Sequence, residues 1–354
     1  MSLQEHSSNG STNCISQLDI FQEKIWFIFV LQSVLAVVGN GFAIYRFVVR
    51  ERQWHTGIVY VFNLTVSDLL YAFSLLPIAS YYYPPKDWKY GAVFCKLDRF
   101  LFFCNFYGST FFVACISLNR YVAIVHPFFA HSRLETRHAK LVSGAVWLLV
   151  MTISAPVFTF SILENSSENN ISRTICLGSA SRAELPKYWP YSLFLAAFGC
   201  GLPFFLTAFS CIAIVCTVIH SHGLTAEEKF KVKALVGMVV VLYAIFYLPF
   251  HVLRNLNLHN RMHENLHDRM HNNCNVFVYD FYQMAKILVN FHICIHPMVY
   301  AALTDSLQKY CFGCFRWRKE MDLTTMTSPA TMEKFYYHNS TTKEDLVFAL
   351  RVMY

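Results

Sequence analysis

The chain has 354 residues, 55% of them hydrophobic, 17% aromatic and only 14% charged, with a mean hydropathy of +0.36. A soluble domain is close to a quarter charged, so this composition argues against one and for helices lying in lipid. The net charge of +7 sits in short basic runs between apolar segments, which suits membrane loops and argues against nucleic-acid binding.

Residues 1–24 are polar, with no apolar core or cleavage-like site, and read as an exterior tail rather than a signal peptide. They hold a glycosylation sequon at Asn9 and a lone Cys14. Seven apolar runs then fill residues 25–303. The first, 25–49, contains Gly39-Asn40 and ends at Arg46, Arg50 and Arg52. The second, 58–83, contains Asp68 and Pro77, and a stiff aromatic loop, 82–91, follows it. The third, 94–130, has Cys95 and Arg99 at one end and Asn119-Arg120-Tyr121 at the other, with no charge from Phe100 to Leu118. As a helix that uncharged stretch spans about 30 Å, the thickness of a bilayer's hydrocarbon core. An arginine just inside each end is costly unless it faces protein or water, so one end reads as a ligand site and the other as a switch.

The fourth run, 141–163, carries Trp147 and Pro156, and the loop after it carries sequons at Asn165 and Asn170 plus Cys176. The fifth is 188–220 with Pro203, and the sixth is 234–253 with Pro249. A loop over 258–275 is dense in histidine (His259, His263, His267, His271) and holds Cys274. Were it helical, those histidines would form one stripe able to bind zinc; a solvated polar loop is the expectation here, with no metal site. The seventh run, 276–303, carries Pro297. Residues 304–318 suit a short amphipathic surface helix, where Cys311 and Cys314 are either palmitoylated or ordinary reduced thiols. Residues 319–354 form a polar tail whose Ser and Thr are candidate phosphorylation sites.

Every basic cluster falls on one side of these runs, and the sequons Asn9, Asn165 and Asn170 with Cys14, Cys95, Cys176 and Cys274 fall on the other. The basic side is therefore expected to be cytoplasmic and the amino end extracellular. Four cysteines in an oxidising setting can pair in three ways. Cys104, Cys115, Cys200, Cys211, Cys216 and Cys294 lie inside runs as packing residues.

Seven runs and one ordered set of residues resemble rhodopsin-like (class A) G-protein-coupled receptors. The set is Asn40, Asp68 within LTVSDL, Arg120 in Asn119-Arg120-Tyr121, Trp147, Pro203, Pro249 in FYLP, and His296-Pro297-Met298-Val299-Tyr300. Within that class, Arg99, His251-Val252-Leu253-Arg254 and Gln283-Met284-Ala285-Lys286 resemble metabotropic purinergic (nucleotide) receptors. YPPKDWKYG and CISLNRYVAIVHPFFA are similar to the ATP-selective subtype that couples to Gq and Gs. The resemblance implies an all-α seven-helix membrane bundle at the plasma membrane and no enzymatic activity. It implies no cofactor, an ATP- or ADP-like ligand, and a heterotrimeric G protein, receptor kinases and arrestin as partners. It also implies the pairing Cys95–Cys176 with Cys14–Cys274.

A nucleotide needs several cations that reach one point, and an aromatic wall. Arg99 lies one turn below Cys95, and His251/Arg254 and Gln283/Lys286 are each three apart on one helix face. Arg99, Arg254 and Lys286 are expected to take the phosphates, by forked or point-charge contacts, with His251 assisting. Lys187 and Arg182 could add to them. Phe102, Phe103, Phe106 and Tyr107 would form the adenine wall.

At the other end the resemblance makes Arg120 part of a G-protein switch with Tyr121, Pro249, Pro297 and Tyr300. The residue before it is normally acidic. Here it is Asn119, which cannot hold an ion pair, so a weak resting lock and basal signalling are expected. Asp68 with Ser109 resembles the family's sodium pocket, but a seventh-run position normally Asn or Asp is His296, with His292 one turn above. A proton shared with these imidazoles is expected to take over part of sodium's role there. A transporter or channel would show inverted repeats or charges through several runs. A membrane enzyme would show HExxH, a nucleophile elbow or paired carboxylates. No inverted repeat or nucleophile elbow occurs in this sequence, and its one HExxH string, His263-Glu264-Asn265-Leu266-His267, falls in the histidine-dense loop rather than inside a run. Among receptor ligands the alternative is another small anion, a dicarboxylate or a lysophospholipid.

Overall fold

The computed structural model describes residues 9–49, 51, 54–84, 86–168, 171–178, 180–221, 225–263 and 273–298. In chain order the elements are α1 (Asn9–Val49), α2 (Thr56–Tyr82), α3 (Gly91–Val125), α4 (Pro127–Arg133), α5 (Thr136–Ser154) and α6 (Val157–Phe160), then the strands β1 (Ile162–Glu168) and β2 (Ile171–Leu177). A 3-10 turn (Arg182–Glu184) leads into α7 (Leu185–Phe194), a π-helical segment (Leu195–Gly201), α8 (Leu202–His220), α9 (Ala226–Phe246), α10 (Leu248–His263) and α11 (Asn273–Asn290). Helix resumes over 292–298 after a turn at Phe291.

Among the described residues six helical stretches are long and apolar enough to cross a bilayer: Lys24–Val49, Thr56–Tyr82, Gly91–Val125, Thr136–Phe160, Arg182–His220 and Val232–His263. The seventh span, α11 and its continuation, falls short of that apolarity. It concentrates Gln283, Lys286, Asn290, His292 and His296, and of these Asn290, His292 and His296 are buried in the bundle. The polarity pattern is inside-out for a protein in water. Phe42, Leu148, Phe205 and Ile212 are exposed, whereas Asn40, Asp68, Asn105 and His292 are buried. Only a bilayer rewards that arrangement.

Three boundaries differ from the sequence expectation. Helix α1 continues outward from residue 25 to Asn9, since nothing between Ser11 and Lys24 breaks it. The sixth span runs to His263 rather than 253, because Arg254, Asn257 and Leu258 have buried places on the bundle side. The fourth ends at Phe160, just past Pro156, and the chain turns into the hairpin. His259 and His263 are therefore helical, with ring centroids 4.5 Å apart. His267 and His271 lie outside the described residues, and among those described no group of three metal-binding side chains converges. Asn170, Tyr300, Cys311, Cys314 and the segments 304–318 and 319–354 also lie outside, as do the side chains of Asn9, Cys14 and Cys274.

Polar staples bind the first, second and seventh spans where water is absent. Gln32 Nε2 donates to the Ile287 carbonyl at 2.9 Å, Ser33 Oγ to the Ala72 carbonyl at 2.7 Å, and Asn40 Nδ2 to the Ile293 carbonyl at 2.9 Å. Trp147 Nε1 donates to Asn63 Oδ1 at 2.9 Å, joining the fourth span to the second. At one end the antiparallel hairpin pairs Leu163 with Cys176, and Cys176 is bridged to Cys95 at the start of α3. Trp88 N–H donates to the Thr174 carbonyl at 2.8 Å, and Thr174 N–H donates to Asp87 Oδ1 at 2.9 Å. The aromatic loop after α2 is thereby clamped to the hairpin.

The fifth span meets α3 at its π-helical segment, whose wide turn frees backbone carbonyls. Thr110 Oγ1 donates to the Gly199 carbonyl and Tyr243 Oη to the Cys200 carbonyl, each at 2.8 Å. A Cβ on Gly199 would come within 2.5 Å of two Tyr107 ring carbons, and Tyr107 is fully buried. Neither side can move away. Gly199→Ala is expected to destabilise the bundle by about 1–3 kcal/mol. Thermal unfolding of the purified protein should show a lower midpoint; an unchanged one would mean that α3 and the π-segment separate freely.

Candidate functional site

Beneath the hairpin, one cavity of about 220 Å³ opens between the second, third, sixth and seventh spans. Arg99 from α3, Arg254 from α10 and Lys286 from α11 all line it, with Gln283. Three spans thus bring their cations to one chamber. Lys86 and Arg261 line it too. Among the described residues no carboxylate does.

Arg254, Lys286 and Lys86 lie over aromatic rings. The Arg254 guanidinium carbon lies 4.6 Å from the Phe103 ring centroid, 5.5 Å from that of Tyr188 and 5.9 Å from that of Phe250. Its Nη2 donates to the Tyr188 hydroxyl at 2.7 Å, whereas Nη1 is buried with no hydrogen-bond partner. Lys286 Nζ sits 5.1 Å from the Tyr282 centroid, and Lys86 Nζ 4.7 Å from that of Tyr82. The arrangement offers donors and ring faces in a buried setting, with at least one guanidinium nitrogen unsatisfied. It is chemically matched to a flexible polyanion carrying a flat group.

The expected aromatic wall divides into two layers. Phe102 and Phe103 line the cavity. Phe106, Tyr107 and His251 do not: they pack behind Phe102, Phe103 and Phe250, with the His251 ring centroid 5.2 Å from that of Phe106 and 5.9 Å from that of Tyr107. His251 is buried with neither ring nitrogen hydrogen-bonded, and the Tyr107 hydroxyl is unpartnered as well. His251 therefore sits too deep to assist at the cavity surface. The three-residue spacing from Arg254 put the two on one face but could not give their depth. Lys187 and Arg182 do not line the cavity either.

Sequence reasoning missed several lining or supporting residues. Arg261 stands two turns beyond Arg254, and that spacing could have revealed it. Lys86 follows two prolines in an irregular loop, where no periodicity exists to read. Tyr188 meets Arg254 only through the tertiary fold.

Deeper in the bundle, Asp68, Ser109, His292 and His296 come together, all buried. His296 Nδ1 lies 2.8 Å from Asp68 Oδ2, and Asn105 Nδ2 donates to Asp68 Oδ1 at 2.9 Å, with Ser109 Oγ at 3.4 Å. Asn105 was not anticipated, although it stands one turn from Ser109 on the same face. Its own Oδ1 faces His292 Nε2 at 3.1 Å, and His292 Nδ1 contacts the Val289 carbonyl. Both carboxylate oxygens are thus engaged by protein donors.

At the far end of α3, Asn119 is buried and its Oδ1 has no hydrogen-bond partner. Arg120 is half-buried. Tyr121 hydrogen-bonds His126 at 3.1 Å and packs against Phe209 of the fifth span, at 5.5 Å between centroids.

Residues 39–300 match the model of the "7 transmembrane receptor (rhodopsin family)". The chain belongs to the rhodopsin family of seven-transmembrane receptors. Among curated relatives, the receptor is 41% identical over 316 residues to human purinoceptor 11, covering 83% of each chain. It is 32% identical over 304 residues to purinoceptor 1 of Meleagris gallopavo, covering 86% of this chain and 83% of that one. Against purinoceptor 1 of Rattus norvegicus the identity is 31% over 282 residues, 80% of this chain and 74% of the relative. These likenesses put the receptor within the purinoceptor group of its family, a group of receptors and not of enzymes.

Because protein groups already occupy both Asp68 oxygens, the receptor's thermal stability is expected to stay the same when sodium is replaced by N-methylglucamine at constant ionic strength. A stabilisation by sodium of several degrees that disappears in Asp68→Asn would show that the ion displaces these donors.

Proposed function

We propose that this is a multi-pass plasma-membrane receptor for extracellular nucleotides, ATP first among them, with its amino terminus outside. The observation that supports this most directly is the convergence of Arg99, Arg254 and Lys286 on one aromatic-lined cavity. Phosphates would be taken by these three with Lys86 and Arg261, and the base by Phe102 and Phe103. The ligand acts by shifting a two-state equilibrium, with no covalent step. Binding at the hairpin end favours the arrangement whose opposite end, around Arg120 and Tyr121, accepts a heterotrimeric G protein, with Pro249, Pro297 and Tyr300 as the other switch residues.

The resemblance of YPPKDWKYG and CISLNRYVAIVHPFFA to the dual-coupling subtype suggests Gq, with Gs as a second route, and receptor kinases and arrestin would end the signal. A second disulfide, Cys14–Cys274, glycans at Asn9, Asn165 and Asn170, and acyl groups at Cys311 and Cys314 complete the reading. Within the bundle the same reading gives part of the task of balancing Asp68 to a proton on His296 or His292, in place of sodium.

Calcium and cyclic-AMP responses of transfected cells to nucleotides and to small carboxylic acids test the ligand class. Nucleotides should elicit both, and Arg254→Ala should weaken potency about tenfold to a hundredfold, the effect of losing one buried charge-assisted contact. A response confined to carboxylic acids or lysophospholipids, or an Arg254→Ala receptor of normal potency, would remove the nucleotide assignment.

Asn119, buried with its Oδ1 unpartnered, stands where an acid normally precedes Arg120. Ligand-free second-messenger output is therefore expected to fall in Asn119→Asp relative to wild type at matched surface expression. Equal output in the two would show that the resting state is held elsewhere.

A further inference from the structure

Asp98 stands out from the rest of α3. Its side chain is 1% exposed, and neither carboxylate oxygen has a hydrogen-bond partner. Such a group is costly to bury, and a small apolar residue would fill the same place at less cost. Among the described residues its ion pair is with Arg99, where Oδ2 lies 4.0 Å from Nε. The Arg99 shaft also packs closely on Gly178, where a Cβ would be 2.8 Å from Cδ and 2.9 Å from Nε, so only glycine leaves it this room. Arg99 thus touches both a buried anion and the end of the hairpin while it lines a cavity with four other cations.

Building on the nucleotide reading above, we propose that Asp98 is a specificity-determining residue of this site, a built-in counter-anion that holds Arg99 from behind and subtracts one charge from the cavity's cation set. Asp98 does not line the cavity and acts through Arg99 and through its field. A ligand's phosphates therefore meet a discounted positive potential. The discount scales with ligand charge, because Coulomb energy is proportional to the product of charges. Removing the carboxylate's charge strengthens binding most for the most highly charged ligand. A purely structural role would shift all ligands alike.

The experiment is a set of calcium concentration–response curves for adenosine di-, tri- and tetraphosphate on the full-length receptor, comparing wild type with Asp98→Asn, Asp98→Ser and Asp98→Glu at measured surface density. The two neutral variants should respond at lower concentrations, about tenfold lower for the triphosphate, less for the diphosphate and more for the tetraphosphate. Asp98→Glu should follow the wild type. An equal shift for all three ligands, no shift, or weaker responses would overturn the proposal. So would failure of both neutral variants, but not Asp98→Glu, to reach the surface, since the charge would then serve folding. A wild type silent to every nucleotide would sink the ligand assignment itself. A wild type whose response Arg254→Ala weakens, beside ungraded Asp98 variants, would sink only this inference.

Discussion

Like charges held close together in a low-dielectric chamber are the constraint around which this bundle is arranged. Arg99, Arg254 and Lys286 enter from three different spans, and Lys86 and Arg261 join them, yet the lining described contains no carboxylate. Mutual repulsion would open such a cluster if its members were free to move. They are not. Ring faces of Phe103, Tyr188, Tyr282 and Tyr82 cradle the charges, and the Tyr188 hydroxyl accepts from Arg254. Apart from Arg99, which Asp98 holds from behind, the pairing of these lining cations is left for an incoming anion to supply.

Holding that cluster in place requires rigid neighbours on both sides. Above it, the Cys95–Cys176 bridge and the backbone bonds between Trp88 and Thr174 tie the aromatic loop, the hairpin and α3 into one unit. Behind its aromatic lining, Phe106, Tyr107 and His251 pack together, and the π-helical segment brings the fifth span close enough to trap the Tyr107 ring. Deeper still, the Asp68 carboxylate joins the second, third and seventh spans through Asn105, Ser109 and His296. Going inward from the cavity along α3, the packing is therefore aromatic first, then polar at Asn105 and Ser109.

The departures from the family pattern sit along this same axis. An imidazole replaces the usual seventh-span residue beside Asp68, and an amide replaces the acid before Arg120. Both changes exchange a fixed negative charge or its amide surrogate for a group with different hydrogen-bonding needs. They fall in the two places where a resting receptor is normally stabilised against opening.

Much of this was readable from the chain alone. Hydropathy and the side-to-side asymmetry of basic residues determine seven crossings, because lipid accepts only long uninterrupted helices and each must end in water. Helical spacing put His251 with Arg254, and Gln283 with Lys286, on one face of their helices, and Asp68, Ser109 and His296 each carried a recognisable sequence setting. Depth and partnership were not readable. A repeat of three or four residues fixes direction around one helix, but how far a side chain reaches into the chamber depends on where neighbouring helices cross. That is why His251, Phe106 and Tyr107 lie outside the cavity lining, and why Tyr188 and Asn105 acquired meaning only once 66 and 37 residues of separation had been folded into contact, and Asp98 only through its burial. Sequence determined which charges enter the membrane; packing alone decided which of them face one another.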